Sequence, residues 1–306
     1  MGYAFSPGDR PLVITGASGF LGWHLCRRAS QRWPVHGLYH RHVPELPGLA
    51  LSRLDLTDAA ALEAWLREIR PAAVIHTAAL SQPNRCEQEP DHSVAINIAA
   101  TRRLAEYCAA QAIPLVFTST DQVFDGTAAP YDETSLPTPI NTYGRHKLAA
   151  EQLLRQIHPT ATICRLPLLY GPATPTAESF LQGFLRTLAM GQPLQLFVDE
   201  FRSPAYVADV AEGLLLALDR PGDLLHLGGP ERINRYDFGL AMAAIFGLDA
   251  TLILPSYQRQ VVMPAQRPPD VSTDNRRAAA LGYHPRGVRA GLIAVRDWQP
   301  GPIPVE

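Results

Sequence analysis

Tyr143 and Lys147, in Tyr143-Gly144-Arg145-His146-Lys147, are four residues apart. On a helix they share one face. A phenol beside an ammonium is a proton-transfer pair. The positive charge favours phenolate, lowers the tyrosine pKa and lets Tyr143 exchange a proton near neutral pH. Upstream, Leu115-Val116-Phe117-Thr118 reads as a strand that runs into Ser119-Thr120, whose hydroxyls can address the same carbonyl. The competing reading is a surface tyrosine and a surface lysine. Their placement after a strand ending in Ser-Thr argues against chance.

A second chemical signal lies near the N-terminus. Thr15-Gly16-Ala17-Ser18-Gly19-Phe20-Leu21-Gly22 follows the apolar run Leu12-Val13-Ile14 and opens a helical pattern. Gly16 permits a tight turn, Gly19 lets backbone N–H groups approach a pyrophosphate, and Gly22 lets the helix pack on the strand. Ser18, Phe20 and Leu21 complete the loop. A plain βα turn is the alternative, disfavoured by three aligned glycines in a strand–turn–helix context. The second strand, Val35 to Tyr39, ends in Tyr39-His40-Arg41-His42. A carboxylate there would accept from the ribose 2′-hydroxyl and repel a 2′-phosphate. None is present, and Arg41, flanked by His40 and His42, offers a phosphate fork. This predicts NADP(H) as the preferred cofactor, with NAD(H) still open. A solvated loop is the competing reading. The two histidines have no further partners at ligand spacing, so no metal site is expected. Asp55-Leu56 lies where an acidic–apolar pair could cover an adenine.

These residues need a scaffold. Short apolar runs alternate with amphipathic helices: Asp58 caps a helix to about Arg70, Ala73-Val74-Ile75-His76 is a strand, and Asp91 to about Gln111 is helical. Tyr143 to about Ile157 is helical and Thr162 to Leu166 is a strand. The pattern predicts an α/β fold, a Rossmann doubly wound parallel sheet covered on both faces, with right-handed crossovers. Beyond Pro167 this rhythm weakens. The expected division is a dinucleotide-binding domain over 1–166, joined by a further helix from about 204–225, and a smaller discontinuous substrate lobe from 167–203 and 226–306.

Composition sets the outer bounds. The chain has 306 residues, 46% hydrophobic and 18% charged, with a formal net charge of -2. No basic run suggests nucleic acid, and no stretch approaches bilayer-spanning length. Cys26, Cys86, Cys108 and Cys164 are scattered without a CxxC pair, as expected of reduced cysteines in a cytoplasmic protein. Met1-Gly2 through Ser6 matches the loose myristoylation pattern and reads as coincidence.

Taken together, these motifs resemble the extended short-chain dehydrogenase/reductase superfamily, closest to the dTDP-4-dehydrorhamnose reductase group. The resemblance rests on Thr15 to Gly22, Ser119 to Gly126, Pro139 to Glu151, Arg165 to Pro172 and Arg202 to Val210. It implies that Tyr143 donates the proton, that Lys147 holds the nicotinamide ribose hydroxyls and that Thr120 polarises the substrate carbonyl. It also implies that Ala78-Ala79 line the cofactor, with Ser81 near the nicotinamide end. Pro167 and Leu168 would pack near the nicotinamide ring, and Asn97 would sit beside the active site. Ser119, Gln122 and Arg202 would face the substrate, with Arg202 towards its anionic part. The alternative for Arg202 is a surface pairing with Asp199 or Glu200. The implied reaction is NADPH-dependent reduction of a ketone on a small molecule, a nucleotide-linked 4-keto sugar, by a chain that could pair as a homodimer.

Two residues depart from the pattern. The reductase group commonly has tyrosine at the place of Gln122, and sugar-nucleotide dehydratases have glutamate there. Glutamine cannot titrate, which disfavours elimination and points to a related rather than identical substrate. His76 stands where asparagine is frequent. An epimerase or dehydratase with tightly held nicotinamide, and a non-catalytic regulatory subunit like the beta subunit of methionine adenosyltransferase, are the other two readings.

Overall fold

The computed structural model describes residues 8–299. The Met1 to Ser6 pattern lies outside them. Seven parallel strands form the central sheet: β1 (Leu12–Thr15), β2 (Val35–Tyr39), β3 (Ala50–Arg53), β4 (Ala73–His76), β5 (Leu115–Thr120), β6 (Thr162–Leu166) and β7 (Leu224–His226). Their spatial order is β7-β6-β5-β4-β1-β2-β3. The reversal of strand order between β1 and β4 is the switch point where such sheets open a crevice. β1, β4, β5 and β6 are buried along their whole length, which is why they read as continuous apolar runs.

Two strands of this sheet were not foreseen. Ala50-Leu51-Ser52-Arg53 is a half-exposed edge, with too little apolar periodicity to announce itself. Leu224–His226 joins the sheet beside β6, although the sequence reading runs a helix to about 225 and opens the second lobe at His226.

Helices α1 (Phe20–Ala29), α2 (Ala59–Ile69), α3 (Thr101–Ala110) and α4 (Thr142–Ile157) alternate with the strands. α2 begins as expected: the Asp58 side chain accepts from Ala61 N. Its end is a left-handed Arg70 just before Pro71. α3 is preceded by Pro90–Val94 and a π-helical Ala95–Ala100. Trp23 and Leu25 of α1 share one core with Val210 and Leu214 of a later helix, α6 (Val207–Ala217). Leu62, Leu104 and Leu154 close the opposite face with Val74 and Phe117.

A separate hydrophobic core lies in the second half of the chain. α5 (Phe180–Ala189), α7 (Arg235–Phe246) and α8 (Val288–Arg296) enclose Leu181, Phe238, Met242 and Leu292. Leu194–Phe197 pairs in parallel with Ile253–Ser256. Phe201–Arg202 pairs antiparallel with Ile233–Asn234 and sets Arg202 opposite Ile233. Cys26, Cys86, Cys108 and Cys164 are free and buried. Among the described residues no helix is long and apolar enough to cross a membrane.

Candidate active site

A cleft of about 650 Å³ opens where β1, β4, β5 and β6 end. One end is walled by the glycine loop. Gly16 has φ +74, and a Cβ there would lie 2.9 Å from Ala78 N. At Gly22 a Cβ would overlap the Gly16 carbonyl, so α1 packs onto the loop only with glycine. Gly19 caps α1 without any side-chain hydrogen bond. The first-turn amides therefore start beside the cleft with no capping side chain, the arrangement that suits a pyrophosphate. Gly16, Ser18, Gly19, Phe20, Leu21 and Gly22 all line this end.

His40, Asp55 and Leu56 line the same end. His40 Nε2 is 3.5 Å from Asp55 Oδ2. The Asp55 carboxylate accepts from Thr57 N at 2.9 Å and from the Thr57 hydroxyl at 2.7 Å, which helps hold its pKa below the ordinary carboxylate value. Arg41 and His42 are exposed and lie outside the lining. Of the three residues His40, Arg41 and His42, His40 is the one in the lining. Sequence could not separate them, because side-chain direction past the end of β2 depends on the following loop. Among the described residues no group of three or more His, Cys, Asp or Glu could hold a metal ion.

Ala78, Ala79 and Ser81 follow β4 along the middle of the cleft, opposite Pro167 and Leu168 after β6. Their backbone is held from behind. Asn97 lies off the cleft, fully buried: it accepts from Leu80 N at 3.0 Å and donates to Leu80 O at 3.1 Å. His76 has a determinable tautomer. Thr101 Oγ1 donates to Asn97 O, so it accepts from His76 Nε2 at 3.1 Å, and His76 Nδ1 accepts from Thr15 Oγ1 at 2.7 Å. Thr15 Oγ1 in turn accepts from Thr77 N and Ala78 N. Burial pushes the His76 pKa down to about 3, so the ring stays neutral and structural.

Ser119, Thr120, Gln122, Tyr143 and Lys147 meet at the floor. Thr120 ends β5. Asn141 caps α4, its Oδ1 accepting from Gly144 N at 2.9 Å, and so places Tyr143 in the first turn. That cap also orients Gln122. Asn141 Nδ2 must be the donor to Gln122 Oε1, at 3.0 Å, which leaves the Gln122 amide nitrogen for the cleft. The close approach of α4 to Gln122 requires Gly144, where a Cβ would overlap the Gln122 carbonyl.

The electrostatics differ from the sequence expectation. Burial dominates and pushes the Tyr143 phenol well above its ordinary range, with nearby Cys86 and Asp121 adding to this and the Thr120 hydroxyl opposing it. Burial likewise pushes Lys147 down to about 7, with Glu151 opposing. Lys147 Nζ lies 3.9 Å from the centre of the Phe117 ring. Removal from water outweighs the pairwise charge effect assumed from the four-residue spacing. The resulting neutral phenol is the form that can give up a proton to a carbonyl oxygen.

The substrate end contains residues that sequence did not single out: Asp121, Phe180, Glu200, Arg235 and Arg267 line the cleft together with Arg202. Asp121 is buried, and burial raises its pKa to about 6 against the pull of Arg202. Its Oδ2 has no hydrogen-bond partner. Of the two candidate partners for Arg202, Glu200 is the one engaged, at 3.3 Å, while Asp199 accepts from Gln258 N at 3.0 Å. Arg202 is buried rather than on the surface. Asp121 stood only within the Ser119 to Gly126 motif, and Glu200 only as a possible partner of Arg202. The arginines lie in segments far apart in the chain.

Comparison with known proteins agrees with this geometry. Residues 10–297 match the model of the RmlD substrate binding domain. The chain is 35% identical over 260 residues to the probable low-salt glycan biosynthesis reductase of Haloferax volcanii, covering 83% of this chain and 86% of that one. It is 33% identical to methionine adenosyltransferase 2 subunit beta of Xenopus tropicalis, covering 81% and 75%. The crystal structure of dTDP-4-dehydrorhamnose reductase from Bacillus anthracis in complex with NADP superposes with a TM-score of 0.81 at 25% identity, covering 94% and 99%. The chain belongs to the RmlD substrate-binding-domain family, within the extended short-chain dehydrogenase/reductases, a class of NAD(P)-dependent oxidoreductases.

Proposed function

We propose that this protein is an NADPH-dependent reductase acting on a ketone of a nucleotide-linked 4-keto sugar. The observation that carries the reading is the meeting of Thr120, Tyr143 and Lys147 in the cleft that the glycine loop opens. The Bacillus anthracis neighbour, which holds NADP, supports the cofactor. NADH is the alternative, which the lining of the adenosine end by His40 and not Arg41 leaves open.

When bound, NADPH supplies the hydride. The chain's own residues do the rest. The glycine loop and the first turn of α1 hold the pyrophosphate. Lys147 holds the nicotinamide ribose hydroxyls, and Ala78, Ala79, Ser81, Pro167 and Leu168 wall the ring. The Thr120 hydroxyl donates a hydrogen bond to the substrate carbonyl oxygen. Tyr143 Oη gives its proton to that same oxygen as it becomes an alcohol. Ser119 and the Gln122 amide border the sugar.

A panel of nucleotide-linked 4-keto sugars, followed by NADPH absorbance, is the test. We expect turnover with at least one member, lowered by about two orders of magnitude or more in Tyr143→Phe. No turnover with any member would sink the reading. The likeness to a methionine adenosyltransferase subunit favours one other reading, a regulatory subunit that binds the dinucleotide without chemistry. That reading predicts a stable complex with a methionine adenosyltransferase catalytic subunit in a pull-down and no ketone turnover.

A further inference from the structure

Asn141 bonds in three directions at once. Its Oδ1 accepts from Gly144 N at 2.9 Å and caps α4, the helix that carries Tyr143. Its Nδ2 donates to Gln122 Oε1 and to Gln266 O, each at 3.0 Å. The residue is only 1% exposed, so water does not compete for these bonds. An amide nitrogen carries two hydrogens and cannot accept, and here both hydrogens are in use. The backbone amide that Asn141 caps therefore fixes its polarity, and Asn141 fixes the polarity of Gln122 in turn.

Gln122 is half-buried and packs against the start of α4, where a Cβ at Gly144 would overlap its carbonyl. Its backbone N–H donates to Thr120 Oγ1 at 3.2 Å. Its side chain lines the cleft in company with Thr120 and Tyr143. A glutamine by itself can turn either end to a ligand. With Oε1 held by Asn141, this one offers N–H donors alone. A ketone oxygen has lone pairs and no hydrogen, and it gathers negative charge as the carbonyl is reduced. A fixed donor suits that oxygen, and a fixed acceptor repels it.

We propose that Gln122 is an additional hydrogen-bond donor to the reacting ketone oxygen, and that Asn141 is the positioning residue that makes it a donor. Reversal of the Gln122 amide would set a carbonyl against the ketone, and the bond from Asn141 prevents it. The inference rests on the reductase reading of this cleft and adds a donor to those of Thr120 and Tyr143.

Two variants at different residues should share one signature. Asn141→Asp still caps Gly144 N, because aspartate caps as well as asparagine, but it can only accept. Gln122 must then turn its NH2 group to the new carboxylate and its carbonyl to the cleft. Gln122→Glu leaves Asn141 and the cap intact and presents a carboxylate oxygen to the cleft. Calorimetry on protein loaded with oxidised NADP, which has no hydride to give, measures binding without turnover. The probes are dTDP- and UDP-linked 4-keto-6-deoxyglucose and the matching 4-hydroxyl compounds, at about pH 8, where carboxyls ionise. A hydroxyl can donate as well as accept, so it tolerates either polarity. We expect the wild type to bind at least one keto probe. The ratio of keto to hydroxyl affinity should fall at least about tenfold in both variants, the scale of an acceptor left facing an acceptor. NADPH affinity should stay unchanged. Asn141→Ser caps without holding Gln122. It should lose part of the keto preference, and it carries the comparison if the aspartate variant does not fold. A purely structural Asn141 would weaken keto and hydroxyl probes alike, which overturns the proposal, as does a wild type that binds no keto probe. A wild type that shows the signature yet reduces no keto sugar with NADPH would overturn the reductase reading and leave Gln122 standing as a donor to a bound ketone.

Discussion

The two ends of the cleft are built in opposite ways. The cofactor end comes largely from one stretch, residues 15–22, whose glycines make a turn with its own local geometry. The substrate end is assembled from segments around 121, 180, 200–202, 235 and 267. Local geometry at the first end leaves backbone amides for a ligand. At the second, arginines both tie strands together and face the cleft, so structure and recognition share the same side chains. Tyr143 and Lys147 stand between the two ends, where burial sets their protonation.

The largest effect is expected at that junction. Tyr143→Phe should lower turnover by about two orders of magnitude or more, the scale of a positioned general acid, with NADPH affinity unchanged by titration. Near-normal turnover in the folded variant would move the proton source elsewhere. At the cofactor end, Gly22→Ala would drive a Cβ into the Gly16 carbonyl. It should cost about 1–3 kcal/mol of stability by denaturant titration and weaken NADPH binding. An unchanged protein would mean that the loop is not locally constrained.

At the substrate end, Arg202→Ala should lose about 2 kcal/mol of stability, because charged hydrogen bonds to Phe201 O and Pro268 O disappear. Unchanged stability would mean that these bonds do not hold the segments together.

Lys147→Met separates stability from function. Burial lowers Lys147 from 10.5 to about 7. Between those values the unfolded chain binds the extra proton, so wild-type stability rises with pH across that window. The variant lacks this slope. It should be more stable by ~1 kcal/mol or more near neutral pH and below, with the advantage shrinking towards the upper value. An advantage that does not vary with pH would count against a buried ammonium. The smallest effect belongs to Arg41→Ala. Exposed and outside the lining, it should change NADPH affinity by less than about 1 kcal/mol. A larger, NADPH-selective loss in calorimetry would restore Arg41 as the phosphate reader.

Much of the architecture was readable from local pattern. Fully buried strands such as Leu12–Thr15 and Leu115–Thr120 show as apolar runs. Helices with one buried face show at their own period, and Asp58 and the glycine loop mark boundaries through backbone geometry. The edge strand Ala50–Arg53 was not readable, because half-exposed residues carry mixed polarity. Asn97, expected in the helix beside the active site, holds the Leu80 backbone from a π-helical turn, and that contact has no signature in the sequence.

The sequence by itself determined the parallel α/β order, the glycine turn and the pairing of Tyr143 with Lys147 on one helix face. Each depends on residues within a few positions of one another, so spacing is enough. The tertiary structure decided which side chain after β2 faces the cofactor end, and that burial outweighs the ammonium in setting the phenol. It also decided which carboxylate Arg202 meets. Those outcomes turn on desolvation and on partners tens of residues away, such as Pro268 for Arg202 and Phe180 for Arg235. Only the folded chain brings such groups within hydrogen-bonding or packing distance.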